Sequence, residues 1–423
     1  MLQEGPARKG ARSPAGFYGW HMVGLASLVG ILTGPGQSMG VSVFREHLSS
    51  GLDLSDSAIA SAYLVGTLVA SGLQPRLGTW VDSVGVQRAT VILGVIFAGA
   101  LAQMSMIHGV VWLTVGFLGI RFLGQGALSL TSNVAVAHWF NLRRGFAMGV
   151  KTTVTFGGMS VVPVLLALTI EAWGWRQAWL VAAAAIFLTV VPIALFGFVD
   201  RPANLGQVPD GGNSDTPVFL DRGVTSAVRS VAVRTGAFWT LAAVTVSNSL
   251  FGTGLIFHQS NLLGEIGYSN SEAAVMFLPQ AVGAIVGGLS VGWLADRAIR
   301  PWLPATSAVL LAMTTFLGGS AISFGAVLGY VLMLGLSMGA VASMNAALLP
   351  ALFGVGHLGS ITGFLGFLSV LGSSMGALAF SLGSDVFGDY RSASVAFTVA
   401  PLAVAVMAVM HRHHFLLDGR REV

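Results

Sequence analysis

Arg121 stands about eleven residues into an apolar run that extends from Val110 to Ala137. Near the centre of a bilayer such a charge costs at least ~2.5–3.5 kcal/mol, so a position like this is kept for a purpose. A guanidinium presents a planar fork of donors that matches a carboxylate. Its plainer use is to bond backbone carbonyls, or Gln125 and Ser129, and so stabilise packing around Gly124 and Gly126. All 17 acidic residues fall in tails, loops or the ends of apolar runs. Proton chemistry often relies on a buried Asp or Glu with a raised pKa. Here it would have to use histidine, a carboxylate on an arriving anion, or an indirect route. His258 is the candidate, because an unperturbed imidazole titrates near ~6.5. It shares a helical stripe with Asn248, Phe251, Leu255 and Leu262, and Gln259 is adjacent. The plainer reading of His258 is a neutral, hydrogen-bonded ring at a helix end.

Further polar residues lie inside apolar runs and need partners or a wet surface: Gln37 and Ser38, Tyr63, Gln280 and Asn345. Lys151 is six residues into its run and is expected to snorkel to an interface; a second cationic contact for an anion is the alternative. Phe364 and Phe367 could wall a site or simply pack, and Trp139, Trp173, Trp175 and Trp239 read as interfacial anchors. No cofactor and no metal site is expected. Cysteine is absent, which excludes disulfides, thiolate metal sites and a cysteine nucleophile. No GxxxxGKS phosphate loop is present, so ATP is not the energy source. No paired carboxylates and no Ser/His/Asp set can be assembled within the apolar runs, and an enzyme is not expected.

The elements that must position these residues follow from composition. Of 423 residues, 54% are hydrophobic and 9% charged, against roughly 25% charged in an ordinary soluble domain. Mean hydropathy is +0.79. Lipid must be the solvent for most of the chain. Runs of about 20 apolar residues give twelve spans, at 19–46, 57–77, 89–107, 110–137, 146–169 and 176–198, then 236–263, 272–294, 303–323, 326–349, 358–382 and 391–411. The fold class is therefore an all-α integral membrane protein. Gly34-Pro35-Gly36 should bend span one, because Pro removes a backbone hydrogen bond. The 56 glycines suit close approach of membrane helices.

With both termini placed in the cytoplasm, seventeen of the 21 Lys and Arg residues fall on that side and three (Arg45, Arg176, Arg391) on the other, with Arg121 in the membrane. That bias sets the orientation. The basic residues sit at span ends and form no single patch, so the net charge of +4 speaks for topology and against nucleic acid. No cleavable leader is expected. The organisation is a cytoplasmic tail (1–18), six helices (19–198), a cytoplasmic linker (199–235), six helices (236–411) and a second tail (412–423). Val224, Val228 and Val231 suggest an amphipathic surface helix in the linker, with Arg222 and Arg229 on another face.

The halves echo each other. Gly78-Thr-Trp-Val-Asp82-Ser-Val-Gly85-Val-Gln-Arg88 stands between spans two and three, and Gly292-Trp-Leu-Ala-Asp296-Arg297 between spans eight and nine. Glycine allows two helix ends to approach; Asp can cap a helix start and pair with Arg across the half-to-half contact. Duplicated helical bundles accompany alternating access.

These residues resemble the signature of the major facilitator superfamily, and Arg121-Phe-Leu-Gly124-Gln125-Gly126 resembles its second motif. The resemblance covers essentially the whole chain. His138-Trp139-Phe140-Asn-Leu-Arg143-Arg144-Gly145-Phe-Ala-Met-Gly149 is similar to the start of span five in the monocarboxylate transporter and oxalate/formate antiporter branch, as are Gly19-Trp20 and Arg201-Pro202. Span eight lacks the Asp and Arg of the monocarboxylate carriers, and span eleven lacks the Lys of the oxalate antiporter. The resemblance implies two six-helix bundles of the major facilitator fold. It also implies secondary transport of a small organic anion, most simply a monocarboxylate, with proton symport or anion exchange. The partners are then the anion, protons and the lipid of the inner membrane, with the chain as a monomer. Because the span-four motif is shared by carriers of unlike substrates, Arg121 is favoured for coupling or gating over direct binding. Export of amphipathic drugs is the alternative within transport; a non-transporting sensor is the alternative outside it.

Overall fold

The computed structural model describes residues 16–140, 143–211, 228–295, 300–354 and 358–415. Among these residues the regular structure is entirely helical. Eleven helices are long and apolar enough to cross a membrane: Asp56–Gln74, Val86–Met104, Val110–Trp139, Phe146–Trp173, Trp175–Gly197, Gly236–Phe257, Asn270–Leu294, Leu303–Ser320, Phe324–Phe353, Ile361–Phe387 and Tyr390–Met410. They are spans two to twelve. Span one is assembled from pieces: an apolar helix, Gly19–Leu32, a single 3₁₀ turn, Gly34–Gly36, and a short helix, Ser38–Ser42. The expected bend is thus a true interruption, and Gln37 is extended (φ −89°, ψ 162°). A backbone without water must satisfy its own hydrogen bonds, which is why helices dominate. The outward faces are apolar: Leu188, Phe196 and Leu289 are 68%, 86% and 70% exposed.

The chain divides into two compact units. One comprises Met1–Gln37, Gly72–Ile107 and Val115–Phe219; the other comprises Ser38–Ser71, His108–Thr114 and Leu220–Val423. In the second unit, spans eight and ten touch backbone to backbone. A Cβ added at Gly335 would lie 1.8 Å from the Gln280 carbonyl oxygen, and one at Gly339 2.0 Å from that of Ala284. Gly283 and Gly287 face back in the same way, 2.1 and 2.2 Å from the carbonyls of Leu332 and Leu336. Two small-xxx-small pairs therefore set the helix separation, the device by which membrane helices gain dispersion contacts.

Three expectations change. The segment around Gly78 and Asp82 is a continuation of span two, whose helix runs without a break to Val84. Asp82 therefore lies in the last turn of a helix, and span three, which starts at Val86, takes its cap from another part of the chain. That cap comes from Asp200, whose carboxylate accepts from the Gln87 backbone N–H at 2.8 Å. Gly85 makes the turn at φ +90°, with Asp200 Oδ2 2.8 Å from where a Cβ would stand. Trp139 is fully buried, donates its indole N–H to the Val199 carbonyl at 3.0 Å and is no interfacial anchor; Trp173 and Trp239 are 63% and 51% exposed. Lys151 does not snorkel and is only 5% exposed. The proposed linker helix falls largely at 212–227, outside the described residues; Arg229–Ala232 forms one helical turn.

Replacing Asp200 with Ala should remove the cap of span three and cost about 1 kcal/mol. Thermal unfolding of the detergent-solubilised protein would show a lower midpoint than wild type.

Candidate functional site

In the first unit the polar chemistry collects where two helices are irregular. Span four is α-helical over Val110–Ile120, π-helical over Arg121–Leu128 and α-helical again from Ser129. The π segment begins at Arg121. Such segments are rare and are often found at functional sites. The guanidinium is 2% exposed and donates Nη1–H to the Gly36 carbonyl at 3.3 Å, at the end of the interrupted turn of span one. A backbone acceptor that the broken helix leaves over is taken up by a cation from the neighbouring span. Only glycine permits the approach, since a Cβ at Gly36 would lie 2.5 Å from the Ile120 carbonyl oxygen and 3.3 Å from Gly124 Cα. Of the two uses weighed for Arg121, the backbone-carbonyl bond is present.

Gln125 and Ser129 follow along span four, both half-buried. Ser129 donates to the Gly124 carbonyl at 3.2 Å. Gln37 turns back to donate to the Thr33 hydroxyl at 3.2 Å. Asn133, unremarked in the sequence, accepts from Lys151 Nζ at 2.8 Å. A polar amide one turn beyond Ser129 was the available signal for it.

In the second unit Ser38 and Tyr63 are brought together, hydroxyl to hydroxyl at 2.7 Å, and the Tyr63 ring packs on Phe257 at 4.6 Å. His258 ends the helix of span seven and is fully buried. Its Nε2 meets the Ala377 carbonyl at 2.8 Å, which fixes the proton on Nε2, and its ring stacks on Tyr390 at 4.6 Å. Gln259 donates to the Ala273 carbonyl at 2.9 Å. Asn248 donates to Ser337 at 3.4 Å, and Gln280 approaches the Met338 sulfur at 3.7 Å. These four residues are each served separately and form no single cluster. Asn345 donates to Thr245 at 2.9 Å. Phe364 stacks on Phe238 at 5.9 Å, which is packing.

A network beside His258 is not foreshadowed by any local pattern. Arg45, 5% exposed, pairs with Asp56. The Asp56 carboxylate also accepts from the Tyr390 hydroxyl at 2.7 Å and the Asn261 amide at 3.2 Å. One carboxylate thus joins the ends of spans one, two, seven and twelve. Tyr390 is 334 positions from Asp56, so no local pattern could reveal the contact. Outside the spans, Asp389 is held below the usual carboxylate range by the Ser392 backbone N–H that it caps.

The helical signature between spans two and three keeps Arg88 exposed. Gly292 lies near the end of span eight, where a Cβ would meet nothing. Asp296 and Arg297 lie outside the described residues.

Comparison with known proteins agrees with this architecture. The family model of the Major Facilitator Superfamily matches residues 26–377, and the chain belongs to that superfamily of membrane transporters. It is 28% identical to human monocarboxylate transporter 14 over 225 residues, 51% of this chain but only 42% of that protein. It is 27% identical to rat monocarboxylate transporter 3 over 377 residues, 85% of this chain and 72% of the relative. The crystal structure of a bacterial homologue of the human lysosomal transporter Spinster, inward-facing and unoccupied, superposes with a TM-score of 0.73 over 96% of this chain and 98% of the other. At 16% identity that likeness concerns the fold.

Exchanging Asp56 for Asn should leave the buried Arg45 without its counter-charge and cost about 3 kcal/mol. Unfolding midpoints should fall in Asp56→Asn and recover in the paired Arg45→Met, Asp56→Leu protein.

Proposed function

We propose that this transporter carries a small organic anion, most simply a monocarboxylate, by alternating access with proton symport or anion exchange. The observation that carries the reading is the meeting of two helical discontinuities at one guanidinium: the break at Gly34–Gly36 and the π segment that begins at Arg121. Carriers place substrate where spanning helices are interrupted, because irregular backbone within a membrane is tolerated only where it is buried in protein or lines a cavity. A guanidinium there favours a carboxylate over a cation or a neutral solute. The similarity to monocarboxylate transporters points the same way.

Arg121 acts as coupling residue in this reading. An anion that reaches it competes with the Gly36 carbonyl for the same donors, so occupancy and the geometry of the span-one break become linked. A proton carried with the anion neutralises it and lowers the cost of crossing an apolar path, which suits symport. The bias of the basic residues supports both termini on the cytoplasmic side, and the reading takes the bilayer to be the plasma (inner) membrane. The helical signature at Gly78, Asp82, Gly85 and Arg88, with its copy at Gly292, Asp296 and Arg297, serves as the gate on that side. Ser38, Tyr63, Asn248, Gln259 and Gln280 supply neutral polar contacts along the route. His258, hydrogen-bonded and fully buried, can exchange a proton only when its surroundings open.

Uptake of radiolabelled acetate, lactate and succinate by proteoliposomes, with and without an inward pH gradient, tests the reading. Arg121→Leu should lower carboxylate uptake by about tenfold to a hundredfold, the worth of a charge-assisted hydrogen bond. Arg121→Lys, which keeps the charge and loses the fork, should fall between. Absence of any anion uptake, alongside export of cationic dyes, would reverse the substrate class.

A further inference from the structure

The first unit holds a second buried cation that the sequence led us to place at the surface. Lys151 is 5% exposed, and among the described residues its hydrogen-bond partner is the neutral amide oxygen of Asn133 at 2.8 Å. An ammonium has three donors and a full charge; one neutral acceptor satisfies a single donor and none of the charge. The site is shaped for close approach. Gly30 of span one faces it, and a Cβ there would lie 2.9 Å from two side-chain atoms of Thr155 and 3.5 Å from Lys151 Nζ. Thr155, one turn after Lys151 on span five, is anchored by its hydroxyl to the Ser27 carbonyl at 3.4 Å. Spans one, four and five therefore converge on the ammonium.

This position is connected to Arg121 along one helix face. Arg121, Gln125, Ser129 and Asn133 recur at four-residue intervals. In an α-helix each such step over-rotates by about 40°, so three steps would drift through about 120° and scatter the set. In the wider π turn a four-residue step falls short of a full turn. Because Arg121–Leu128 is π-helical and the helix is α again from Ser129, the opposing drifts offset each other and the four polar residues stay in line. Gln125, Ser129 and Asn133 are all half-buried, so the stripe is not sealed in a core. On span one, the groups met by Lys151 and Arg121 are Gly30 and Gly36, on either side of the helix end at Leu32.

We propose that Lys151, oriented by Asn133 and seated against Gly30, is a second carboxylate-binding station on the route, linked to Arg121 by the polar stripe of span four. This rests on the reading of the chain as an anion carrier. The π segment then has a use: it aligns the neutral donors that hand an anion from one cation to the other. Lys151 touches the anion directly, and Asn133 is a positioning residue that steers the ammonium.

The test uses the full-length protein in proteoliposomes and the same acetate, lactate and succinate uptake. Lys151→Met, which keeps the apolar stem, should raise KM by about tenfold or more, and Lys151→Arg should stay within about threefold of wild type. Asn133→Asp separates the station from a structural tie. It sets a carboxylate against the ammonium, so thermal stability should hold or rise while KM rises by about tenfold as the built-in anion competes. A structural tie predicts higher stability with unchanged uptake, and that result overturns the proposal even if Lys151→Met fails to fold. Arg121→Leu abolishing uptake while Lys151→Met and Asn133→Asp keep KM within about twofold would also overturn it and leave the anion reading intact. Failure of the wild type to take up any of the three anions would remove both.

Discussion

In lipid, a peptide carbonyl with no partner costs several kcal/mol, and the architecture of the first unit turns on one such group. Span one is interrupted at Gly34–Gly36, and the Gly36 carbonyl accepts from Arg121. The cation needs an acceptor as much as the carbonyl needs a donor. The interruption and the charge therefore support each other. The glycines follow from the same demand, because Gly36 and Gly124 must let spans one and four come within reach.

Under the proposed function such mutual dependence is also a means of coupling. A guanidinium held by a neutral carbonyl can exchange that partner for a carboxylate at modest cost. One held in a tight ion pair cannot. The contrast lies within the same chain: Arg45 is paired with Asp56 and fastened further by Tyr390 and Asn261, an arrangement suited to holding helix ends together. Lys151 sits against the neutral amide oxygen of Asn133, an arrangement that, under the proposed function, suits receiving charge.

The glycine pairs of spans eight and ten show a different solution to the same solvent. Where no water is available to drive association, helices gain by touching along their backbones, as at Gly335 and Gly339 against Gln280 and Ala284. That face is packed backbone on backbone. The polar face of span four, half-buried and set in line by a π segment, is its opposite, and the difference between the two faces is visible in composition alone: small residues on one, Gln, Ser and Asn on the other.

The helical spans, the bend in span one and the presence of Arg121 within span four were legible in the sequence, because hydropathy and proline act locally and a charge in an apolar run stands out without any neighbour being known. The superfamily was legible too, in motifs a few residues long. The partners were not. That Arg121 meets the Gly36 carbonyl, that Lys151 turns inward to Asn133, that Asp200 caps span three, and that Asp56 reaches Tyr390 are contacts between residues distant in the chain. Side-chain direction at such positions is set by the packing of whole helices. Residue type fixed how much charge the membrane had to accommodate; only the tertiary structure decided which group would face it.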